Sequence, residues 1–157
     1  MKSINQWLDE YAVSHQNPTN KMVHFVCVPV IFFTVVGLLY SIKLPIEIAP
    51  NLYLTVADIV TVLVAIYYFT LSVPLAIGMV LYSALCLVLC EVIRRATGSY
   101  GYLALISLGL FVLAWIAQFW GHKVEGKKPS FIKDLQFLMI GPAWIMSFIY
   151  KKIGLSI

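Results

Sequence analysis

The sequence predicts an all-α integral membrane protein built as a single membrane-embedded domain, residues 1–157. Of its residues, 61% are hydrophobic and 11% are charged, whereas soluble domains are about half apolar and a quarter charged. The mean hydropathy is +0.90. Four apolar stretches also have about the 20 residues that a helix needs to cross the hydrocarbon core of a bilayer. An apolar excess of this size has to face lipid.

The first predicted element is a short amphipathic helix over residues 3–14. Ser3 and Gln6 have the spacing of a capping box, which satisfies backbone groups at a helix start. Apolar residues recur at helical spacing and form one stripe, namely Ile4, Trp7, Leu8 and Tyr11. We expect such a helix to lie in the membrane interface. A turn over residues 15–20 follows, because Asn17-Pro18 breaks helices.

Four transmembrane helices are predicted next, over residues 22–40, 53–72, 75–93 and 102–120. Residues 43–51, with two prolines, form the first loop, and Ser72-Val-Pro74 forms a tight break between the second and third helices. Residues 94–101 link the third and fourth helices. The last apolar segment, residues 135–150, contains Gly141-Pro142 and is short for a full crossing. It is predicted to be a re-entrant or a fifth helix.

The predicted topology separates the basic residues into two groups. Four crossings return the chain to its starting side, so the segments before the first helix and after the fourth share one membrane face. That face collects most of the lysines: Lys2, Lys21, Lys123, Lys127, Lys128 and Lys133. Lys43, Arg94 and Arg95 lie on the other face. The positive-inside rule makes the lysine-rich face cytosolic.

The net charge of +4 therefore reflects membrane topology. No basic stripe is interleaved with aromatic residues, and no nucleic-acid-binding motif is present, so a nucleic-acid partner is not expected. The three cysteines, Cys27, Cys86 and Cys90, fall inside apolar stretches and are interpreted as small buried hydrophobic residues. The sequence does not indicate an oligomeric state.

The three histidines all belong to the two polar segments that the topology places on one face. His15 is in the turn, His24 begins the first transmembrane helix, and His122 ends the fourth. Neutral imidazole is a good ligand for iron, zinc, copper or nickel. A mononuclear iron site needs three protein ligands and open positions, so three histidines, or two with Glu125, would suffice. Asn20 and Gln118 could orient the imidazoles from outside the ligand set.

Two other interpretations of the histidines stay open at this stage. A histidine at a membrane interface is often only an interfacial polar residue. The chain could also be a non-enzymatic membrane protein whose histidines bind a structural metal or a lipid headgroup. The alternatives differ in what a missing ligand does, since only an enzyme loses turnover while keeping its fold.

The two polar segments resemble the membrane 2-hydroxy fatty acid dioxygenase family, whose fungal member acts in fatty-acid α-oxidation during phytosphingosine breakdown. The matching residues have the patterns H-x-N-P-x-N-x-x-x-H over residues 15–24 and Q-F-x-G-H over residues 118–122. Glu125, Lys127-Lys-Pro129 and Asp134-Leu135 follow the second pattern. The resemblance covers nearly the whole chain in layout, although the intervening helices match only as apolar stretches.

The resemblance implies an iron(II)-dependent dioxygenase that converts a 2-hydroxy long-chain fatty acid and O2 to the one-carbon-shorter fatty acid and CO2. It implies that His15, His24 and His122 are the iron ligands. Glu125 would be a fourth ligand or a base, and Lys123 or Lys128 would help to neutralise the substrate carboxylate. The supporting residues would be Asn17, Asn20 and Gln118. The acyl chain would extend between the helices from a site on the cytosolic face.

The resemblance leaves two features of the chain open. Arg94 and Arg95 occupy a place where fungal members could carry a further histidine, so a fourth histidine ligand is not evident. The compartment is expected to be a bacterial cytoplasmic membrane, with an endoplasmic reticulum membrane as the alternative. Membrane lipid is the expected surrounding in both.

Overall fold

The computed structural model of the chain describes residues 2–126 and 131–157, and the side chains of residues 131–136 are outside that description. Most of the described chain is helical. Six helices are present in the described ranges: α1 (Ile4–Ala12), α2 (Pro18–Tyr40), α3 (Val56–Leu71), α4 (Val73–Thr97), α5 (Tyr100–Glu125) and α6 (Phe131–Lys152). Two strands, β1 (Lys43–Ala49) and β2 (Leu52–Thr55), lie between α2 and α3.

Helix α1 begins with the predicted capping box. The Ser3 hydroxyl accepts from the Gln6 backbone N–H at 3.3 Å, and the Gln6 side chain accepts from the Ser3 backbone N–H at 2.9 Å. The apolar stripe packs against α6, which buries Ile4, Leu8 and Tyr11. The stripe is therefore covered by protein. That α1 also lies in the membrane interface stays a prediction.

The antiparallel hairpin β1–β2 corrects the prediction of an all-α protein. Residues 43–51, which we expected to be a loop, form a strand and a turn, and residues 53–55 belong to β2 and not to a membrane helix. Pro50 and Asn51 make the turn, since Asn51 has a φ of 58° and a turn of this kind favours Pro followed by Asn or Gly. The Glu47 carboxylate accepts from the Asn51 N–H at 2.9 Å.

Three described helices are long and apolar enough to cross a membrane: α2, α4 and α5. The predicted second crossing corresponds to α3, which has only 16 residues and a length of about 24 Å, short of a core of about 30 Å. The predicted count of four crossings is therefore not confirmed. Helices α4 and α5 extend beyond their predicted bounds, and only residues 98–99 separate them.

The break between α3 and α4 lies where the sequence predicted it. Ser72 is extended, and its hydroxyl caps α4 by accepting from the Leu75 N–H at 3.4 Å. Pro74 sits in the first turn, where its missing N–H has no helical partner to lose. The last apolar segment forms α6, a helix of 22 residues that keeps Pro142 inside it. That it is a re-entrant or a fifth helix of the membrane domain stays a prediction.

Helix α2 is the centre of the bundle and packs most extensively on α5. Small residues permit this close approach, because a Cβ at Gly37 would overlap the Ser107 side chain and a Cβ at Gly121 would lie 2.6 Å from Asn20 Oδ1. Helices α3, α4 and α6 also pack on α2. The bundle thereby has two ends, one holding the α1–α2 turn and the end of α5, and the other holding the hairpin and the end of α4.

Candidate metal centre

The structure brings the three histidines together at one end of the bundle, which confirms the predicted convergence. One ring nitrogen of each lies within 4.8 Å of those of the other two. The ring centroids of His15 and His24 are 4.2 Å apart, and that of His122 is 5.5 Å and 4.9 Å from theirs. All three side chains are buried, with exposures of 2%, 2% and 7%.

Backbone carbonyls fix the orientation of two of the rings. His15 Nδ1 lies 2.7 Å from the Tyr11 carbonyl oxygen, and His24 Nδ1 lies 2.9 Å from the Asn20 carbonyl oxygen. A carbonyl oxygen can only accept, so each Nδ1 carries the proton. The lone pair of each neutral ring is then on Nε2, the arrangement in which a protein holds a metal-binding histidine.

Aromatic side chains form a wall around these imidazoles. The Tyr11 ring is stacked on the His15 ring, with centroids 4.2 Å apart and planes 8° from parallel. The Trp144 ring from α6 lies 5.2 Å from Tyr11 and 5.6 Å from His15. Gly141 lets α6 approach, because a Cβ there would lie 3.1 Å from both the Tyr11 hydroxyl and a Val28 methyl. The wall excludes water from one side of the cluster.

Glu125 connects the two polar segments of the sequence. Its Oε1 accepts from the Gln16 backbone N–H at 3.0 Å, and its Oε2 accepts from the Asn17 N–H at 2.9 Å and from Asn20 Nδ2 at 3.1 Å. Hydrogen bonds from the turn therefore occupy both oxygens. The carboxylate joins the turn that carries His15 to the helix that carries His122. A role as fourth ligand or base stays a prediction that this arrangement does not favour.

The two asparagines also hold the backbone of the turn. Asn17 caps α2, since its Oδ1 accepts from the Thr19 N–H at 2.9 Å and from the Asn20 N–H at 3.5 Å. Asn20 is fully buried, and its Nδ2 also donates to the Ser14 carbonyl oxygen at 3.3 Å. These bonds set the position of the segment between the two histidines. That agrees with a supporting role, which these side chains would exert through the backbone of the turn.

A cavity of about 30 Å³ adjoins the histidines, with room for one or two waters. One long wall of the cavity is a single face of α2, formed by His24, Val28 and Ile31 at positions i, i+4 and i+7. The facing side of α5 forms the other wall. The lining residues beside the histidines are Tyr11, Val28, Ile31, Trp115, Gln118, Phe137 and Leu138. The cavity is polar at the histidine end and apolar toward the middle of the bundle.

Of the two predicted carboxylate-neutralising lysines, the structure describes only Lys123. Lys123 is exposed on α5, one residue after His122, and is not among the residues that line the cavity. Lys128 lies outside the described residues. Their predicted role stays untested.

The donor set suits a metal ion such as iron. Three neutral nitrogen ligands from buried imidazoles leave coordination positions open, and hydrogen bonds hold two of the rings from behind. Metal–nitrogen bonds of about 2.1 Å hold ligand atoms no more than about 4.2 Å apart, so small rotations of the rings would suffice. Within the described residues, this is the cluster of histidine, cysteine and acidic side chains that could hold a metal.

Two comparisons connect this arrangement to known proteins. The family model described as "2-hydroxy-palmitic acid dioxygenase Mpo1-like" matches residues 1–153, a range that includes all three histidines. This chain belongs to the Mpo1-like family. A Saccharomyces cerevisiae relative, 2-hydroxy-palmitic acid dioxygenase MPO1, is 34% identical over 155 residues, which are 96% of this chain and 82% of the yeast protein. No solved structure matches the chain.

The Mpo1-like assignment confirms the resemblance that the two polar segments carried. The structure adds residues that sequence reasoning missed, above all Tyr11 and Trp144, which were interpreted as part of an amphipathic stripe and an aromatic belt. Tyr11 could have been found, because it lies four residues before His15 and its carbonyl is in reach of that ring. No sequence signal placed Trp144 there, since it lies on α6, at the far end of the chain from Tyr11 and His15.

Proposed function

We propose that this Mpo1-like protein is a membrane-embedded, iron(II)-dependent dioxygenase that shortens 2-hydroxy long-chain fatty acids by one carbon. The observation that carries the proposal is the buried convergence of His15, His24 and His122 in a chain of this family. In the balanced reaction, a 2-hydroxy acid and O2 give the one-carbon-shorter acid, CO2 and water. The bond between C1 and C2 breaks, and O2 is the oxidant.

The protein's contribution is to hold the ligands and to shape the pocket. The carbonyl oxygens of Tyr11 and Asn20 keep the imidazoles of His15 and His24 in the metal-binding tautomer. Glu125 keeps the turn against α5. Iron(II), held by the three histidines, would supply the redox chemistry between the acid and O2.

The apolar part of the cavity supports a lipid substrate. Val28, Ile31 and Leu138 line it on the side toward the middle of the bundle, where an acyl chain would be in an apolar environment. The cavity is too small for a long chain, so we propose that only the polar head and the first carbons enter. The rest of the chain would then extend toward lipid, which suits a substrate dissolved in the membrane.

The test is metal content followed by turnover. The detergent-purified protein is analysed for metals, reloaded anaerobically with iron(II), and assayed for O2 uptake on 2-hydroxypalmitate, with palmitate as the control substrate. We expect about one iron per chain and formation of the 15-carbon acid from the hydroxy acid alone. Bound iron without turnover would support the metal site but refute 2-hydroxypalmitate as the substrate. No metal and no uptake would favour a non-enzymatic membrane protein.

A further inference from the structure

Gln118 occupies a distinctive place on the cavity wall. It lies on α5 one turn before His122, about 6 Å along the helix axis, and it lines the cavity with Trp115 and the histidines. Its side chain is buried, with 7% of the residue surface exposed. Gln118 therefore lies between the metal ligands and the apolar part of the cavity, where the first carbons of a substrate would be.

The amide of Gln118 makes no hydrogen bond with the part of the chain that the structure describes. Asn20 and Glu125 nearby differ from Gln118 in this respect, since Asn20 Nδ2 donates to two oxygens and Glu125 accepts three hydrogen bonds. A polar group in a largely apolar pocket is stabilised by a hydrogen-bonding partner, which a bound ligand can supply. A residue that only filled space at this position would be apolar, like its neighbours Ile31 and Val28.

The hydrogen-bonding groups of the Gln118 amide determine which ligand it can bind. Gln118 offers two N–H donors and one carbonyl acceptor on the cavity wall. The head of a 2-hydroxy acid is complementary, because its carboxylate accepts and its hydroxyl donates. A plain fatty acid has no group that could donate to the amide oxygen when its carboxyl is ionised.

We propose that Gln118 binds the polar head of the substrate and selects 2-hydroxy acids over plain fatty acids, by accepting a hydrogen bond from the 2-hydroxyl. The proposal rests on the proposed function and replaces the supporting role that the sequence suggested for Gln118. A site built to bond a hydroxyl discriminates against the analogue that lacks it, because the buried amide is then left without a partner.

The variant that tests this role is Gln118→Met, which has nearly the same length and helix propensity as glutamine but no hydrogen-bonding group. Because the amide makes no hydrogen bond with the described protein, we expect the variant to melt at the same temperature as the wild type or higher. It should also bind as much iron. Gln118→Leu serves as a second apolar variant should the thioether perturb the site.

The decisive measurement is the ratio of the dissociation constants of palmitate and 2-hydroxypalmitate, measured on the iron-loaded full chain without O2. In the wild type the hydroxy acid should bind more tightly, and in Gln118→Met this preference should fall about tenfold, the loss of about one buried hydrogen bond. Palmitate should lose less affinity than the hydroxy acid, because it has no hydroxyl to donate to the amide oxygen.

Three results would overturn the proposal. Loss of iron in both apolar variants would show that Gln118 acts through the imidazoles. An unchanged preference for the hydroxy acid would show that another group recognises the hydroxyl. Equal binding of the two acids by the wild type would remove the selectivity itself, and the one-carbon-shortening assay on that same protein would then show whether the proposed function fails with it.

Discussion

The two ends of the bundle both gather polar side chains, but they satisfy them in different ways. At the hairpin end, Glu91 accepts from Arg94 at 2.6 and 2.7 Å, from Arg95 at 2.6 Å and from the Tyr40 hydroxyl at 2.9 Å. Arg94 also donates to the Asn51 carbonyl oxygen at 3.1 Å, which ties α4 to the hairpin. The charges of Glu91, Arg94 and Arg95 therefore lie beside opposite charges.

At the histidine end, three neutral imidazoles converge on one another. The protein uses the Nδ1 atoms of His15 and His24 to orient the rings, and the Nε2 lone pairs then point into a shared space. Lone pairs repel each other and attract a cation. The comparison teaches that a polar cluster whose groups neutralise one another stabilises the fold, whereas a cluster of acceptors that face one another is arranged for a ligand.

The comparison of the two ends is tested most strongly by removing a metal ligand at the histidine end. We expect His24→Ala to lose bound iron and to lower turnover by at least about 100-fold, more than the loss of a residue outside the ligand set. Metal analysis and the O2-uptake assay measure both. An active, iron-replete His24→Ala variant would refute the site.

The reciprocal change at the hairpin end is Glu91→Ala. It leaves two arginines without their carboxylate, so we expect the free energy of unfolding to fall by about 1.5–3 kcal/mol, the usual cost of losing hydrogen bonds to charged groups. The iron content per folded chain should not change. Thermal melting of the iron-free protein gives the stability, and loss of iron at unchanged stability would contradict the assignment of this end as structural.

A third test pushes apart α2 and α5, the helices that carry His24 and His122. Gly121→Ala places a Cβ 2.6 Å from Asn20 Oδ1 and 3.3 Å from a Val23 methyl. Asn20 cannot easily move, because its amide is held by Ser14 and Glu125. We expect a loss of about 1–3 kcal/mol in stability and weaker iron binding, measured by melting and by metal titration.

Gly109→Ala is the matched control for that variant on the same helix. A Cβ at Gly109 meets nothing within 4 Å, so the change should be neutral or stabilise the helix by up to about 1 kcal/mol. Equal effects of the two alanines would mean that close approach at Gly121 does not position the ligands.

The smallest expected effect concerns the connection between the turn and α5. Glu125→Gln leaves one oxygen where two accepted hydrogen bonds, so we expect iron affinity to fall about tenfold, typical for a residue that orients ligands. Asp9→Asn, an exposed change at the same end, is the charge-matched control and should bind iron like the wild type. Complete loss of iron in Glu125→Gln would instead make Glu125 a ligand.

Local patterns in the sequence were sufficient for much of the fold. The Ser3–Gln6 capping box and the break at Ser72 depend on residues within one turn of each other, so spacing alone predicts them. Apolar length predicted the three long helices. The hairpin was missed because its prolines suggested a loop, although Pro50-Asn51 carries the turn signal.

The sequence by itself determined that the chain is a largely helical membrane protein, that it belongs to the Mpo1-like family, and which three histidines could meet. Only the tertiary structure decided that both Glu125 oxygens bind the α1–α2 turn, that Tyr11 and Trp144 enclose His15, and that Gln118 faces the cavity. The physical reason is distance along the chain. A helix start depends on neighbouring residues, whereas the Glu125–Asn17 bond joins residues 108 positions apart, and such contacts exist only once the helices have packed.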